Sequence, residues 1–369
     1  MSENKVYTAI GMMSGTSLDG IDMALVRTDG KDFTKLEDFK TVPYSDEVRA
    51  KIKEVFGQRH ASDKTAEVEK LVTAAHIQAI KDFGHEADVI GFHGQTILHD
   101  PSQKFTWQIG CSKTLADATG MDVVGDMRIA DIKAGGQGAP LLPLCHRAFA
   151  SEAMRPIAIL NLGGVGNVTW LGEERQDILA FDTGPANALI DDLVKEKTGK
   201  HYDSDGKIAK AGKVHQKMVD DWLNHKYFDR PVPKSLDRDE WQVARVYDLP
   251  LEDAVATLAA FTVQSVMKSF ENLPAAPKAV YVAGGGRHNK YIMEELNRLM
   301  ACDVEPVESL NWNGDAVEAK GFAYLAVRSL LGLALTLPTT TGVPKPMTGG
   351  VLYKALDKKL ERAAGQRKP

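Results

Sequence analysis

The stretches MSGTSLDGIDMALV, residues 13–26, and NLGGVGNVTWL, residues 161–171, decide the fold. Together with the apolar residues before it, each reads as a strand, a turn of small residues and a second strand, which predicts a β-hairpin. The two stretches lie in different halves of the chain, so we interpret them as a rough internal repeat. The repeat indicates two lobes that each contain a related hairpin.

Around these hairpins, patterns typical of strands alternate with patterns typical of helices. The alternation predicts an α/β protein with mixed β-sheets flanked by helices. We expect strands at Val6 to Met13, Ile21 to Arg27, Asp88 to Phe92, Phe105 to Ile109, Ile157 to Leu162, Val168 to Leu171, Ile178 to Asp182 and Ala279 to Ala283. We expect helices at Asp46 to Phe56, Asp63 to Phe83, Ser112 to Thr119, Pro185 to about Lys197, Leu251 to Phe270, Asn289 to Met300 and Asp315 to Leu335.

The length of 369 residues is sufficient for two lobes with separate cores. We place the boundary near residue 150. Residues 1–150 with 340–369 then form an N-terminal lobe that carries the first hairpin. Residues 151–339 form a C-terminal lobe that carries the second hairpin.

Composition and charge exclude several classes of function. The net charge of −5 provides no basic field for nucleic acid. The three cysteines are widely spaced and odd in number, which favours a reducing compartment without disulfides. The first residues have no basic start followed by an apolar core, and no apolar run is long enough to span a membrane. We therefore expect a cytoplasmic protein that binds neither nucleic acid nor membrane; a homodimer stays open.

Three glycine-rich turns are candidates for binding phosphate or nucleotide. Consecutive small residues let several backbone N–H groups converge on one phosphate. The candidate ATP-binding residues are Gly15, Thr16, Ser17, Leu18, Asp19, Gly20, Ile21 and Asp22 in the first turn, Gly163, Gly164, Gly166 and Asn167 in the second, and Gly284, Gly285 and Gly286 in the third. A single glycine turn is more often only a hairpin, and no Walker or dinucleotide motif is present. Three such turns at strand ends favour two lobes that close on one triphosphate.

The motifs together resemble those of the anhydro-N-acetylmuramic acid kinases. The similar blocks are SGTSLDGID from Ser14, HGQT from His93, NLGGVGNVT from Asn161, FDTGPAN from Phe181 and AGGGRHN from Ala283. The resemblance covers nearly the whole chain. It implies two ribonuclease-H-like lobes, as in the actin, Hsp70 and hexokinase-like ATPases, with ATP in the interlobe cleft. It also implies ATP-dependent conversion of 1,6-anhydro-N-acetylmuramic acid to N-acetylmuramic acid 6-phosphate, a step in peptidoglycan recycling.

The resemblance maps a catalytic aspartate onto Asp182 and the ATP-binding stretch onto Gly15 to Asp22. The sugar has no free O6 hydroxyl, so a water must attack C1, and a carboxylate is a suitable general base for that water. The alternative from the residues alone is that Asp182 or Thr183 only caps the helix that begins near Pro185.

Polar residues near these motifs are candidates for the sugar and for a metal ion. The expected sugar contacts are His93, Gln95, Thr96, Arg128, Thr183, Gly184, Asn187 and Glu318. Arg128 suits the lactyl carboxylate, although a structural pairing with Asp126 or Asp131 is an alternative. Asp19, with Asp22 as second choice, is the candidate for Mg²⁺, although Asp-Gly is also a common hairpin pair. Glu318 could equally lie on a solvated helix face.

Two other functions remain open from the sequence. A kinase of the same fold could phosphorylate a free sugar hydroxyl and use the same turns and aspartate. An ATP-driven conformational protein is the second alternative, but the chain has little room for an added peptide-binding domain.

Overall fold

The computed structural model describes residues 5–151, 153–236, 240–241 and 243–356. Within these residues the chain forms two compact units. The first contains residues 5–149, 316–338 and 343–356, and the second contains residues 150–315 and 339–342, apart from the gaps above.

The elements alternate as expected for an α/β protein. The strands are β1 (Tyr7–Ser14), β2 (Gly20–Thr28), β3 (Thr34–Pro43), β4 (Val89–Asp100), β5 (Phe105–Ile109), β6 (Val123–Gly125), β7 (Ile157–Leu162), β8 (Val165–Leu171), β9 (Ile178–Pro185), β10 (Ala279–Ala283), β11 (Asp303–Pro306) and β12 (Val351–Tyr353). The helices are α1 (Asp46–Lys53), α2 (Asp63–Phe83), α3 (Ser112–Thr119), α4 (Ile129–Lys133), α5 (Pro143–Phe149), α6 (Asn187–Thr198), α7 (Lys207–Ala211), α8 (Gln216–Leu223), α9 (Leu251–Phe270), α10 (Lys290–Leu299), α11 (Val317–Leu330) and α12 (Pro338–Thr341). Short 3₁₀ helices cover Pro101–Gln103, Ser204–Gly206, Ala244–Asp248, Gly285–His288 and Val307–Leu310.

The two sheets share one topology. In the first unit the order is β12-β6-β4-β1-β2-β3, with β5 paired to β4, and in the second it is β11-β10-β7-β8-β9. In each sheet three consecutive strands form an antiparallel meander, and the first of them pairs in parallel with the next strand of the sheet. The strands β3-β2-β1-β4-β6 therefore match β9-β8-β7-β10-β11 in order. The prediction of mixed sheets and an internal repeat is confirmed.

The core of the first unit lies on both faces of its sheet. Ile10 and Met12 point to one face and pack with residues of α1, α2 and α3. Ala9 and Met13 point to the other face and pack with α5 and α11. Because successive side chains of a strand point to opposite faces, β1 contributes to both cores and is buried on both sides.

Helix α11 lies unusually close to the first sheet. A Cβ atom on Gly11 would come within 1.8 Å of the carbonyl oxygen of Ala319, and one on Gly91 within 2.1 Å of that of Phe322. Only glycine allows this approach. We predicted this helix in the C-terminal lobe, whereas its contacts place it in the first unit.

The predicted start of one helix was wrong. Pro185 does not begin a helix: it ends β9, and helix α6 begins at Asn187 after Ala186 as the N-cap, which has no side-chain capping bond. The reason is that Gly184 and Pro185 pair with Gly166 and Val165 of β8, so the strand continues past Asp182.

Among the described residues, no helix is both long and apolar enough to cross a membrane.

Candidate active site

The first glycine-rich turn occupies residues 15–19, between β1 and β2. Leu18 lies in the left-handed region with φ of 62°, and its side chain is buried in the core. The N–H of Leu18 donates to Gly15 O at 3.2 Å. Thr16 and Ser17 are exposed on the turn. A buried leucine therefore fixes the turn from within, while two hydroxyl residues face solvent.

Gln95 supports this turn from below. It is fully buried, and its Nε2 donates to Gly15 O at 3.1 Å and to Thr96 O at 3.2 Å. Thr96 Oγ1 accepts a hydrogen bond from Gln108 Nε2 at 3.1 Å. The amide nitrogen of Gln95 therefore helps to fix the shape of the turn, whereas its buried Oε1 has no hydrogen-bond partner among the described residues, and the expected sugar contact stays a prediction.

Other residues of the block SGTSLDGID are buried in the strands on either side of the turn rather than exposed on it. Ile21 is buried in the core, and a Cβ atom on Gly20 would meet Val42 O at 2.4 Å. Ser14 is also buried and donates to Gly94 O at 3.0 Å, so its hydroxyl points inward. Only part of the block SGTSLDGID is therefore exposed to solvent. Asp19 is the exposed carboxylate of that part.

Arg128 and His93 form the centre of a polar cluster in the first unit. Nε and Nη2 of Arg128 both lie 3.1 Å from Nε2 of His93, which accepts, and Nη1 donates to Gly138 O at 2.7 Å. Burial and the nearby guanidinium hold the pKa of His93 well below its usual range. His93 is therefore a neutral acceptor that orients Arg128.

Two carboxylates belong to the same cluster. Burial raises the pKa of Glu318, the charge of Asp22 raises it further, and the charge of Arg128 lowers it. Thr41 donates to Asp22 Oδ1 at 2.5 Å. Glu318 thus lies among other charges, and the alternative of a freely solvated helix face is wrong.

Each of the two aspartates considered as a structural partner of Arg128 accepts a hydrogen bond from another group. Asp126 accepts from the hydroxyl of Tyr353 at 2.6 Å, and Asp131 Oδ1 accepts from Gly138 N at 2.7 Å. Helix α4 begins directly after Arg128. The helix and Gly138 fix the backbone around Arg128.

Asp182 lies inside β9 in the second unit and is held by three hydrogen bonds. Its N–H donates to Lys234 O at 2.9 Å, its carbonyl accepts from the hydroxyl of Tyr227 at 2.5 Å, and its Oδ2 accepts from Leu236 N at 2.7 Å. Burial raises the pKa of Asp182 to about 7, and the Leu236 N–H opposes the increase. A carboxyl group with a pKa near neutrality is suited to proton transfer at physiological pH.

The capping alternative for Asp182 and Thr183 is wrong. The N-cap of α6 is Ala186, and buried Ser269 donates to Thr183 O at 2.7 Å. Gly184 has φ of 142°, and a Cβ atom there would lie 2.7 Å from Cβ of Ser265. Helix α9 therefore holds the backbone after Asp182 through the Ser269 hydroxyl, and its Ser265 packs too close to residue 184 for any side chain larger than that of glycine.

The second and third glycine runs come together in the second unit. The second turn is reduced to Gly163 and Gly164, because Gly166 and Asn167 belong to β8. Gly163 O accepts from the N–H of Asn187 at 2.9 Å, so the turn joins the start of α6.

Asn187 and the third glycine run converge on Leu162. Asn187, one of the expected sugar contacts, donates from Nδ2 to Leu162 O at 2.8 Å. Cβ atoms on Gly284 and Gly286 would lie 2.7 and 3.1 Å from the same carbonyl oxygen, so only glycines fit here. Gly285 begins a 3₁₀ helix, and Arg287 Nη1 donates back to Gly284 O at 3.0 Å.

Comparison with known proteins shows the family of the chain. The sequence profile of the family described as "Anhydro-N-acetylmuramic acid kinase" matches residues 7–355. The chain belongs to this family. An anhydro-N-acetylmuramic acid kinase of Zymomonas mobilis is 48% identical over 363 residues, covering 94% of this chain and 99% of the relative. One of Paramagnetospirillum magneticum is 49% identical over 354 residues, covering 93% and 98%.

Sequence reasoning missed the partners of Asp182 in this member of the anhydro-N-acetylmuramic acid kinase family. Tyr227, Lys234 and Leu236 lie roughly 45 to 54 positions further along the chain, in a stretch without helical or strand periodicity. The sequence feature that came closest to indicating these partners was a lysine between Pro233 and Ser235. Such a lysine would ordinarily be assigned to a solvated loop.

The candidate metal ligands of this chain do not form a closed metal centre. Among the described residues, no group of three or more His, Cys, Asp or Glu side chains is arranged to hold a metal ion. Asp22 and Glu318 lie near each other, and Asp19 is exposed on the turn. One or two carboxylates with phosphate oxygens are the usual donors for Mg²⁺ in kinases, so this donor set fits a nucleotide-bound Mg²⁺.

Proposed function

We propose that the chain uses ATP to open the internal acetal of 1,6-anhydro-N-acetylmuramic acid and to phosphorylate O6. The products are N-acetylmuramic acid 6-phosphate and ADP. The observation that carries the proposal is Asp182, a buried carboxyl group with a pKa of about 7 and a fixed orientation. Membership in the family supplies the substrate.

The substrate chemistry requires a base for water. O6 is bonded to C1, so there is no O6 hydroxyl to deprotonate. As water attacks C1, the C1–O6 bond breaks and O6 bonds to the γ-phosphorus, while the bond from that phosphorus to the β-phosphate oxygen breaks. Ionised Asp182 accepts the proton of the water through its carboxylate. The Leu236 N–H on Oδ2 keeps the carboxylate in one orientation.

The glycine turns are proposed to bind ATP through their backbones. In the first unit, the exposed turn around Thr16 and Ser17 offers N–H and hydroxyl donors to phosphate oxygens. In the second unit, Gly163 and Gly164 leave backbone accessible, and the run at Gly284 lets the backbone approach a flat nucleoside. Phosphoryl transfer depends on positioning and charge neutralisation, which such donors provide.

Mg²⁺ is proposed to bind with ATP, held by Asp19 or Asp22. When bound it would neutralise charge on the transferring phosphoryl group. Thr41 donates to Asp22 Oδ1 at 2.5 Å, so this carboxylate has a fixed orientation.

The sugar is proposed to contact the cluster of Arg128. A guanidinium matches the lactyl carboxylate in charge and in shape, and His93 and Gly138 O hold it in place. Glu318 accepts hydrogen bonds from sugar hydroxyl or acetamido groups. Because ATP is the phosphate donor, we also propose that the protein works in the cytoplasm.

The test of this proposal is an assay of ADP release with purified protein and defined sugars. ADP should appear with 1,6-anhydro-N-acetylmuramic acid and Mg-ATP, and the phosphorylated product should have a free reducing end. Equal ADP release without any sugar, or only with sugars that already carry a free O6 hydroxyl, would contradict the proposal.

A further inference from the structure

Asp182, Lys234 and Tyr227 are joined pairwise in a closed ring of hydrogen bonds. Asp182 N donates to Lys234 O at 2.9 Å, Lys234 Nζ donates to Tyr227 O at 3.1 Å, and the Tyr227 hydroxyl donates to Asp182 O at 2.5 Å. The exposed fractions of the three residues are 8%, 5% and 0%. The ring fixes the backbone of the proposed base on both sides of its Cα atom.

Lys234 is unusual within this ring because a lysine rarely buries its ammonium group. Nζ donates to the carbonyl oxygens of Tyr227 and Phe228, at 3.1 and 3.0 Å, and lies 4.7 Å from the centre of the Tyr227 ring. Burial lowers the pKa of Lys234 to about 8; Arg230 and Lys268 lower it and Asp229 raises it. Two carbonyl dipoles and an aromatic face thus hold a partly desolvated cation.

The segment that begins at Lys234 also carries the donor to the carboxylate. Leu236 lies two residues after Lys234, and its N–H donates to Asp182 Oδ2 at 2.7 Å. The ammonium group of Lys234 therefore anchors the segment at one end, and the carboxylate of Asp182 meets its other end. Loss of the anchor would free the Leu236 N–H from its position.

We propose that Lys234 is a positioning residue for the reaction. It holds residues 234–236 in place, so that the Leu236 N–H orients the carboxylate of Asp182. The inference rests on the proposed role of Asp182 as base. Lys234 itself does not contact the reacting atoms in this account. Its effect is transmitted through the backbone of the segment.

The proposal has a consequence that a merely structural lysine would not have. A hydrogen bond to the ionised form of a carboxyl group lowers its pKa. Without the Leu236 N–H, the pKa of Asp182 should rise by about one unit. The acidic limb of the kcat profile should move to higher pH by the same amount, and kcat well below that limb should fall roughly tenfold.

The experiment compares Lys234→Met, Lys234→Arg and Lys268→Met with the wild type. Lys268 is the matched control: its Nζ donates to Leu223 O at 2.8 Å and lies 5.3 Å from the centre of the Phe228 ring, but it does not bond to the segment. The pKa of Asp182 is measured by NMR with ¹³C-carboxyl aspartate, and the resonance is assigned by its loss in Asp182→Asn. The Leu236 amide proton is followed in the same titrations.

The expected result is an upward shift for Lys234→Met, in the carboxyl titration and in the kcat profile, with near wild-type values for Lys234→Arg and Lys268→Met. The Leu236 amide should titrate together with Asp182 in the wild type and lose this dependence in Lys234→Met. The amide signal separates loss of the hydrogen bond from loss of the lysine charge. A folded Lys234→Met protein with an unchanged pKa for Asp182, or with a Leu236 amide that still titrates, would overturn the proposal.

Two further outcomes keep the test decisive. If Lys234→Met does not fold, Lys234→Gln takes its place, because its amide retains one donor for the same carbonyls; a smaller upward shift supports the proposal and none overturns it. If Asp182→Asn remains active, the proposed base is wrong. The carboxyl and amide titrations still show whether Lys234 holds residues 234–236 in place, because these titrations do not depend on catalysis.

Discussion

The backbone N–H of Leu236 donates to Oδ2 of Asp182 at 2.7 Å, although 54 positions separate the two residues in the chain. This bond opposes the effect of burial, which raises the pKa of Asp182 to about 7. Burial and one oriented donor thus produce a carboxyl group that can change protonation state near neutral pH.

Replacement of Asp182 by asparagine should remove the base and keep the shape of the side chain. We expect kcat to fall by roughly 10²–10⁴-fold, with ATP affinity within a few-fold of the wild type. Steady-state kinetics and nucleotide titration check this. Asp221→Asn, at an exposed position of α8, is the control and should keep wild-type activity. A kcat for Asp182→Asn within a few-fold of the wild type would exclude Asp182 as the base.

The pH dependence of activity and of stability should have opposite signs. Activity needs the ionised carboxylate, so kcat should rise with pH through about 7. Stability should fall over the range from about 4 to 7, because the folded protein holds the Asp182 proton where the unfolded chain has released it. In Asp182→Asn this part of the decline should disappear. Chemical denaturation across this pH range, for the wild type and the variant, tests the sign.

Replacement of Arg128 by methionine should affect the substrate that carries a lactyl carboxylate. We expect KM for 1,6-anhydro-N-acetylmuramic acid to rise by roughly 10–100-fold, because a charged hydrogen-bond pair is lost. KM for the anhydro sugar without the lactyl group should change little. Lys133→Met, which removes an exposed cation from the same segment, is the control. Equal losses with both sugars would show that Arg128 serves only structure.

Alanine at Gly11 should destabilise the first unit through helix α11. The added Cβ atom would lie 1.8 Å from Ala319 O, so the helix must move, at a cost of about 2–3 kcal/mol or more. Gly57→Ala is the comparison: it has open space around it but a φ of 75°, and should cost only about 1 kcal/mol. Urea denaturation of both variants measures the difference, and equal losses would mean that the close approach of α11 is not important.

Much of the fold could be predicted because periodic elements carry a local signal. The predicted bounds of α2, α9 and β7 agree with the structure to the residue. The start of α6 was wrong because Pro185 fits the first turn of a helix by local preference, whereas pairing with Val165 keeps it in β9. The position of α11 was wrong because chain order does not reveal that Gly11 offers it a surface.

The candidate site could be predicted only in part. Motifs identified Asp182 and the glycine turns because these residues are close together in sequence. The neutral state of His93 follows from its burial beside Arg128, which lies 35 positions away. The partner segment around Lys234 depends on tertiary contacts with Tyr227 and Asp182. Such contacts leave no periodic pattern in the sequence.

The most direct test of the central claim is the origin of the new oxygen at C1. The reaction is run for a single turnover in ¹⁸O-labelled water with 1,6-anhydro-N-acetylmuramic acid and Mg-ATP, and the sugar phosphate is analysed at once by mass spectrometry. Unlabelled product held in the same water for the same time controls for exchange at the anomeric carbon. Water attack at C1 predicts one ¹⁸O at C1 and none in the phosphoryl group. Product without label at C1, or label in the phosphoryl group, would contradict it.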